Sequence, residues 1–166
     1  MKHWKSAISA FFLAAIPVPG FATDPSSDAS VLLQVDVTST AASTQFSLAE
    51  LQAFPVVSFE TETIWTDGVQ QFTGVSLAAL LGHLEISEGM MELQAVNDYV
   101  VEFPVSGAVE GGPIVAYERN GALMSRRDKG PLWIVFPYDS NPAYQTEEIF
   151  SKSVWQLVRI IVKSEG

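Results

Sequence analysis

A two-residue step, Asn120-Gly121, lies between two apolar runs and constrains the fold of this chain more than any other feature. The first run covers residues 114–117, and the second covers residues 132–136 and stops at Pro137. Asn-Gly between apolar runs is the strongest short signal for a β-hairpin, because both residues tolerate the positive φ of a tight turn. Residues 112–137 therefore predict two buried strands joined by a hairpin or a short crossover. We expect the rest of the chain to be organised around them.

A cationic loop follows the Asn-Gly step and contains Arg126, Arg127 and Lys129, while Arg119 precedes the step. Positive charge is scarce elsewhere, since the chain has 9 Lys and Arg against 19 Asp and Glu, a net charge of −10. The loop is therefore the first place to expect a small anionic ligand. A solvated basic loop that balances the acidic surface is the alternative interpretation.

The first 22 residues have the pattern of a secretory signal peptide. Lys2, His3 and Lys5 give a positive start, residues 7–18 are apolar, and Gly20-Phe21-Ala22 offers small residues at the cleavage positions. The apolar run is shorter than the roughly 18 residues that a membrane span needs. We expect a secreted, periplasmic protein of bacterial origin, with no membrane insertion after signal cleavage.

Charge and composition exclude several classes of partner and chemistry. Cleavage after residue 22 would leave seven Lys and Arg against 19 Asp and Glu, a net charge of −12, so we expect no nucleic-acid partner. The chain has no cysteine, which removes disulfides, thiolate metal ligands and cysteine nucleophiles. His83 is the only histidine beyond the predicted signal peptide, and we predict no metal site.

Short strands alternating with a few short helices predict an α+β fold with a β-rich, mixed core. Ser47 with Glu50 has the spacing of a capping box, and Ser76 and Thr146 are predicted caps of two further helices. We expect one domain at residues 31–163, preceded by a disordered lead-in at residues 23–30. Strands are expected at residues 31–37, 56–65, 90–96, 99–103 and 153–162, with a small-residue loop at residues 38–44.

Four segments, in order, resemble the molybdopterin-binding domain of the sulfite oxidase family. They are Phe-Thr-Gly-Val-Ser-Leu at residues 72–77, Tyr-Glu-Arg-Asn-Gly-Ala-Leu at 117–123, Gly-Pro-Leu at 130–132 with Phe136-Pro137, and Val-Trp-Gln-Leu-Val-Arg-Ile at 154–160. The resemblance spans roughly residues 31–163. It implies a mixed sheet-and-barrel fold, an oxidoreductase, a molybdopterin cofactor and a redox partner.

The chain departs from that family at two positions. In the family a cysteine thiolate ligates molybdenum on the loop that corresponds to residues 60–67, and this chain has no cysteine. Trp133 stands where the family often has an arginine. With these two departures, the resemblance implies that the family's fold is reused in a non-catalytic module. Such a module would bind a small ligand or act as the partner of a periplasmic sensor. Its alternative is a molybdopterin-dependent oxidoreductase with a cysteine-free site, in which Arg119, Arg126, Arg127 and Lys129 would hold the pterin phosphate. An interaction protein with no small ligand is a third possibility.

Aromatic side chains near strand ends supply further candidates for ligand contact. Trp65 and Tyr138 each follow a predicted strand, and we expect both at the mouth of a cleft. Packing within the core is the alternative for these aromatic residues. No catalytic residue is identified. The candidate ligand- or cofactor-binding residues are Trp65, Tyr99, Arg119, Asn120, Arg126, Arg127, Lys129, Trp133 and Tyr138.

Overall fold

The structure, a computed structural model, describes residues 30–163. The predicted signal peptide at residues 1–22 lies outside the described residues, as does the predicted lead-in at residues 23–30 apart from Ser30. Within the described part of the chain, no helix has the length and apolarity needed to cross a membrane.

Strands dominate the fold, and the helices are short. The strands are β1 (Val31–Val37), β2 (Ala42–Ser47), β3 (Val56–Glu62), β4 (Val69–Ser76), β5 (Met90–Ala95), β6 (Val100–Pro104), β7 (Ile114–Arg119), β8 (Ala122–Leu123), β9 (Trp133–Val135) and β10 (Leu157–Lys163). The α-helices are α1 (Leu48–Gln52), α2 (Leu77–His83) and α3 (Glu147–Ser151), and single 3₁₀ turns cover Val105–Gly107, Arg126–Asp128, Tyr138–Ser140 and Pro142–Tyr144. The predicted α+β class, rich in strands, is confirmed.

The strands form two five-stranded sheets. The first has the order β2-β1-β10-β5-β6, and its β1–β10 pair is parallel while its other pairs are antiparallel. The second has the order β3-β4-β7-β8, and β9 also pairs with β7. On the same edge of β7, β9 pairs with residues 114–116 and β8 pairs with residues 118–119. All pairs of the second sheet are antiparallel.

The hairpin predicted at Asn120-Gly121 is confirmed. Asn120 and Gly121 join β7 to β8 with φ angles of 53° and 76°, the positive values that a type I′ turn requires. The Asn120 side chain holds the turn, since its Oδ1 accepts from the Gln71 backbone N–H at 3.0 Å and its Nδ2 donates to Gln70 Oε1 at 2.8 Å. The two predicted apolar runs become β7 and β9, which lie side by side in the core.

The predicted helix caps are confirmed as well. Ser47 and Glu50 form a complete capping box at the start of α1. The Ser76 and Thr146 hydroxyls accept backbone N–H groups at the starts of α2 and α3. Each cap satisfies an N–H group that the first helical turn leaves without a partner.

Three segments differ from their predicted secondary structure. The strand predicted at residues 56–65 ends at Glu62, and residues 63–65 belong to the loop that follows it. The small-residue loop predicted at residues 38–44 ends early, because residues from Ala42 onward pair with β1 and gain its backbone hydrogen bonds. The last strand was predicted from residue 153 but begins at Leu157. Gln156 has a φ of 52°, which breaks the extended conformation just before β10.

Residues 154–157 join the two sheets. Trp155 forms an isolated antiparallel bridge with Trp133 of β9, and the Ile134 N–H donates to the Val154 carbonyl at 2.9 Å. The Leu157 N–H donates to the Leu132 carbonyl at 3.0 Å. This crossing fixes the start of β10 against β9, and it places Trp155 beside the aromatic residues described below.

Candidate functional site

A cleft of about 440 Å³ opens where four separate segments of the chain meet. The segments are the loop after β3, the β5–β6 turn, α3, and the residues that lead into β10. We call it the Trp65 cleft, and its lining is mostly apolar. The lining residues are Ile64, Trp65, Ala95, Asn97, Tyr99, Glu147, Phe150, Ser151, Ser153, Val154 and Trp155.

Local hydrogen bonds hold the loop that carries Trp65. The Thr63 hydroxyl lies 2.8 Å from the Thr66 hydroxyl and accepts the Trp65 N–H at 3.2 Å. At the end of β3, Asp139 Oδ2 accepts from the Glu62 N–H at 2.7 Å and from the Thr61 hydroxyl at 3.2 Å. The loop is therefore fixed both within itself and to the 3₁₀ turn that follows β9.

Trp65 is the centre of an aromatic cluster. Its ring centroid lies 5.6 Å from Trp155, 5.8 Å from Phe150, 5.9 Å from Trp133 and 6.5 Å from Tyr138, all in edge-to-face orientation. Such pairs are favourable because the positive edge of one ring meets the negative face of the other. Trp133 and Tyr138 are 0% and 2% exposed, so they lie behind the cleft wall. Trp155 is 36% exposed and contributes directly to the cleft surface.

Buried hydrogen bonds support the wall from behind. The Tyr138 and Ser153 hydroxyls are 2.5 Å apart, and the Trp133 indole N–H donates to the Ser153 carbonyl at 3.2 Å. Burial raises the pKa of Tyr138 to about 12, although its hydrogen bonds act in the opposite direction. The phenol therefore stays protonated at neutral pH, where it positions Ser153 and does not serve as a base.

Polar groups at the rim of the cleft are few. The Tyr99 hydroxyl donates to the Ser151 carbonyl at 3.0 Å, which fastens the β5–β6 turn to the end of α3. Glu147, in the first turn of α3, is the one charged residue among the lining side chains of the described part of the chain. The cleft consequently offers a large aromatic surface with a polar edge.

Lys129 lies against the outer part of this cluster. Its ammonium is 4.4 Å from the Trp155 ring centroid and 5.6 Å from that of Trp133, close enough for cation–π attraction. The Lys129 carbonyl accepts from the Gln156 N–H at 3.0 Å, and Gln156 Nε2 donates to the Arg126 carbonyl at 2.7 Å. The cationic loop is thus attached to the same segment that carries Trp155.

Ion pairs divide the cations of the described residues into two groups. Three of them, Lys152, Arg159 and Lys163, are paired with Glu148, Asp36 and Glu92. Within residues 30–163, no carboxylate lies within ion-pair distance of the other four, which are Arg119, Arg126, Arg127 and Lys129. The cations without carboxylate partners are therefore the four that the sequence predicted for an anionic group.

The predicted site residues separate into three places in the fold. Trp65, Tyr99, Trp133 and Tyr138 come together at the Trp65 cleft, two on its surface and two behind it. Arg126, Arg127 and Lys129 lie on the neighbouring loop, and both arginines are exposed. Arg119 and Asn120 lie at the β7–β8 hairpin and do not line the cleft.

Sequence reasoning missed Ile64, Phe150 and Trp155 as cleft residues. The sequence pattern predicts Trp155 among the apolar positions of a long final strand, which does not indicate a position at a cleft. The signal that could have identified it was the late Val-Trp segment at residues 154–155, which the resemblance had singled out. Phe150 and Ile64 carried no local signal, because their role depends on how distant segments meet.

A second cleft, of about 490 Å³, lies beside α1 and α2 and is lined in part by Glu50, Phe54 and His83. The Phe54 and His83 rings meet edge to face at 5.1 Å. The Phe54 ring also meets the Phe46 ring edge to face at 6.0 Å, and none of the predicted site residues lines this cleft.

The donor groups on the loop after β3 do not fit a sulfur-ligated metal. Residues 60–67 contain no thiol, and the hydroxyls of Thr61 and Thr63 are both engaged in hydrogen bonds. Among the residues that the structure describes, no group of three or more His, Cys, Asp or Glu side chains is arranged to hold a metal ion.

No known family model matches the chain, and a search of curated proteins finds no match to its sequence.

Proposed function

We propose that this domain is a non-catalytic module that binds a small, planar, largely apolar molecule in the Trp65 cleft. The observation that carries the proposal is the convergence of Trp65, Tyr99, Phe150 and Trp155 on one open space of about 440 Å³. That volume lies within the range of roughly 300–1,000 Å³ that is usual for small-molecule sites. Aromatic walls with a few polar groups at the rim are the common composition of such sites.

The polar groups at the cleft favour binding over catalysis. The hydroxyls of Tyr99 and Ser153 are engaged in hydrogen bonds with Ser151, Tyr138 and the Ile149 carbonyl. Nucleophilic catalysis would need a hydroxyl paired with a base, and His83 lines the other cleft. Glu147 is a lone carboxylate, whereas acid–base chemistry of the glycosidase type needs two facing ones.

The second candidate is a molybdopterin-dependent oxidoreductase with a cysteine-free cofactor site. It is supported by the four ordered segments that resemble the sulfite oxidase family. It is also favoured by the position of the loop at residues 60–67, which would carry the thiolate in that family and here supplies Ile64 and Trp65 to the cleft. We propose, on the resemblance, that the two-sheet fold is a reduced version of that family's domain. We also propose that the protein is exported to the periplasm and that it acts there with a sensory or redox partner.

A direct test uses the chain from residue 23 onward, produced in a bacterial host that makes molybdopterin. We expect a colourless protein with far less than one molybdenum and one pterin per chain. Its melting temperature should rise with planar aromatic compounds by roughly 8 °C at a hundredfold excess over Kd, because binding to the folded state alone adds about 2.7 kcal/mol.

Two variants test whether the rise in melting temperature results from binding in the Trp65 cleft. Trp155→Ala should remove it, whereas Leu123→Ala, which truncates an exposed apolar residue on β8 outside the cleft, should leave it unchanged. Near-stoichiometric molybdenum and pterin would establish the second candidate instead. The absence of both cofactor and any ligand response would contradict both candidates and leave an interaction protein.

A further inference from the structure

We infer that the ligand of the Trp65 cleft carries an anionic group and that Lys129 binds this group at the Trp155 end of the cleft. The inference rests on the proposed function and adds the class of ligand, a planar aromatic acid. It also assigns different roles to the two neighbouring residues, since Trp155 contacts the ring of the ligand and Lys129 contacts its charge.

The first observation is that aromatic rings, and no carboxylate, position the Lys129 ammonium. Its Nζ lies 4.4 Å from the Trp155 centroid and 5.6 Å from the Trp133 centroid. None of the three ion pairs between described residues involves Lys129. A cation held over rings keeps its N–H donors available, and a charge-assisted hydrogen bond to an anion is stronger than an ordinary one.

The second observation is the backbone conformation at this position. Lys129 has a φ of 72°, in the left-handed region that residues other than glycine rarely adopt. The peptide bond that follows Lys129 is held at both of its polar groups, because the Lys129 carbonyl accepts from the Gln156 N–H at 3.0 Å and the Gly130 N–H donates to the Ser125 carbonyl at 2.8 Å. These two hydrogen bonds therefore hold Lys129 in a conformation that a residue other than glycine adopts only at a conformational cost.

The third observation is the local charge around Lys129. Arg126 and Arg127 lie on the 3₁₀ turn just before it, and the Gln156 side chain ties that turn to the Trp155 segment. Asp128 lies in the same turn and accepts the Ser125 hydroxyl at 2.7 Å, so the loop keeps a net positive charge. The chain as a whole carries −10, but charges separated by more than about 8–10 Å are largely screened at physiological salt. An anion close to Lys129 therefore experiences mainly the cations of the loop.

Glu147 defines the orientation of such a ligand. Its carboxylate belongs to the α3 wall of the cleft and would repel an anionic group placed there. The negative end of the ligand should therefore point toward Lys129, with the ring against Trp65 and Trp155.

The test uses three probes with one ring system and different charges, namely 1-naphthylacetate, 1-naphthylacetamide and 1-naphthylethylamine. Their affinities are measured by ligand-observed saturation-transfer NMR and calorimetry at low and high salt. We expect naphthylacetate to bind roughly tenfold more tightly than the neutral amide, the amine to bind most weakly, and added salt to reduce the difference.

Lys129→Gln removes the charge of the side chain, which stays polar and becomes one bond shorter. It should abolish the preference for the acid while leaving the affinity for the amide unchanged. Lys163→Gln is the matched control, because it removes one charge at the end of β10 outside the cleft and should keep the preference. Equal binding of acid and amide would overturn the inference but leave the proposed function intact. Failure of all three probes to bind would refute the proposed site and the inference together.

Discussion

Replacing Trp65 by alanine is expected to destabilise the domain by about 3 kcal/mol. Trp65 is half-buried, and its ring meets four other aromatic rings at centroid distances of 5.6–6.5 Å. Truncating a fully buried tryptophan costs about 3–5 kcal/mol, and partial exposure places Trp65 at the low end of that range. Each aromatic pair adds about 0.5–1.5 kcal/mol beyond its buried area, which prevents the value from falling much lower. For a domain of about 130 residues this corresponds to a fall in Tm of roughly 10 °C.

Urea unfolding followed by far-UV circular dichroism measures the change without relying on tryptophan fluorescence. Ile64→Ala is the control, because Ile64 is the adjacent residue on the same loop and is 64% exposed, so its truncation should cost less than about 1 kcal/mol. Trp65→Phe retains one ring and should fall between the two variants. If Trp65→Ala and Ile64→Ala have the same small effect, the ring contacts of Trp65 do not hold the cluster together, and the reasoning is refuted.

Three further predictions concern stability, each measured by urea unfolding. Gly74→Ala should lower the free energy of unfolding by more than about 3 kcal/mol, because the added Cβ would lie 2.2 Å from the Val115 carbonyl oxygen. Gly82→Ala should raise it by about 0.5–1 kcal/mol, because the added Cβ meets nothing within 4 Å and alanine favours the helix α2. The reverse order would contradict the packing of β4 on β7. Burial raises the pKa of Tyr138 from 10.0 to about 12, so the folded state disfavours the ionised phenol. The free energy of unfolding should be constant below pH 10 and should fall by about 2–3 kcal/mol as the pH rises through 12. A Tyr138→Phe variant with the same fall between pH 10 and 12 would disprove the assignment to Tyr138. Ser47→Ala should cost about 1 kcal/mol by removing the capping box of α1, and an unchanged unfolding midpoint would show that the cap does not contribute.

Local chemistry made parts of the fold predictable. Asn120-Gly121 predicts a turn because both residues adopt positive φ angles readily. Each helix start was predicted from a hydroxyl that caps the first turn, in Ser47, Ser76 and Thr146. These signals depend on residues within a few positions of one another, so no knowledge of the folded chain is needed to read them.

The sheet order could not be predicted in the same way. The parallel pair β1–β10 brings Val37 opposite Val162, and the pairing depends on contacts between the two ends of the domain. The Trp65 cleft is assembled in the same manner, from four segments that are distant in sequence. Trp155 also follows no strand pattern, because the positive φ of Gln156 ends the extended conformation beside it and leaves the indole at the cleft surface.

The indole N–H signals of the folded protein test the central claim, that the Trp65 cleft is the binding site, most directly. The chain from residue 23 onward contains three tryptophans, Trp65, Trp133 and Trp155, whose signals can be assigned by single substitutions in a ¹⁵N-labelled sample. Titration with naphthylacetate is predicted to shift the Trp65 and Trp155 signals strongly. The Trp133 signal should move less, because its N–H is buried and donates to the Ser153 carbonyl. A titration that leaves Trp65 and Trp155 unchanged, or that instead shifts backbone signals around Phe54 and His83, would contradict the account.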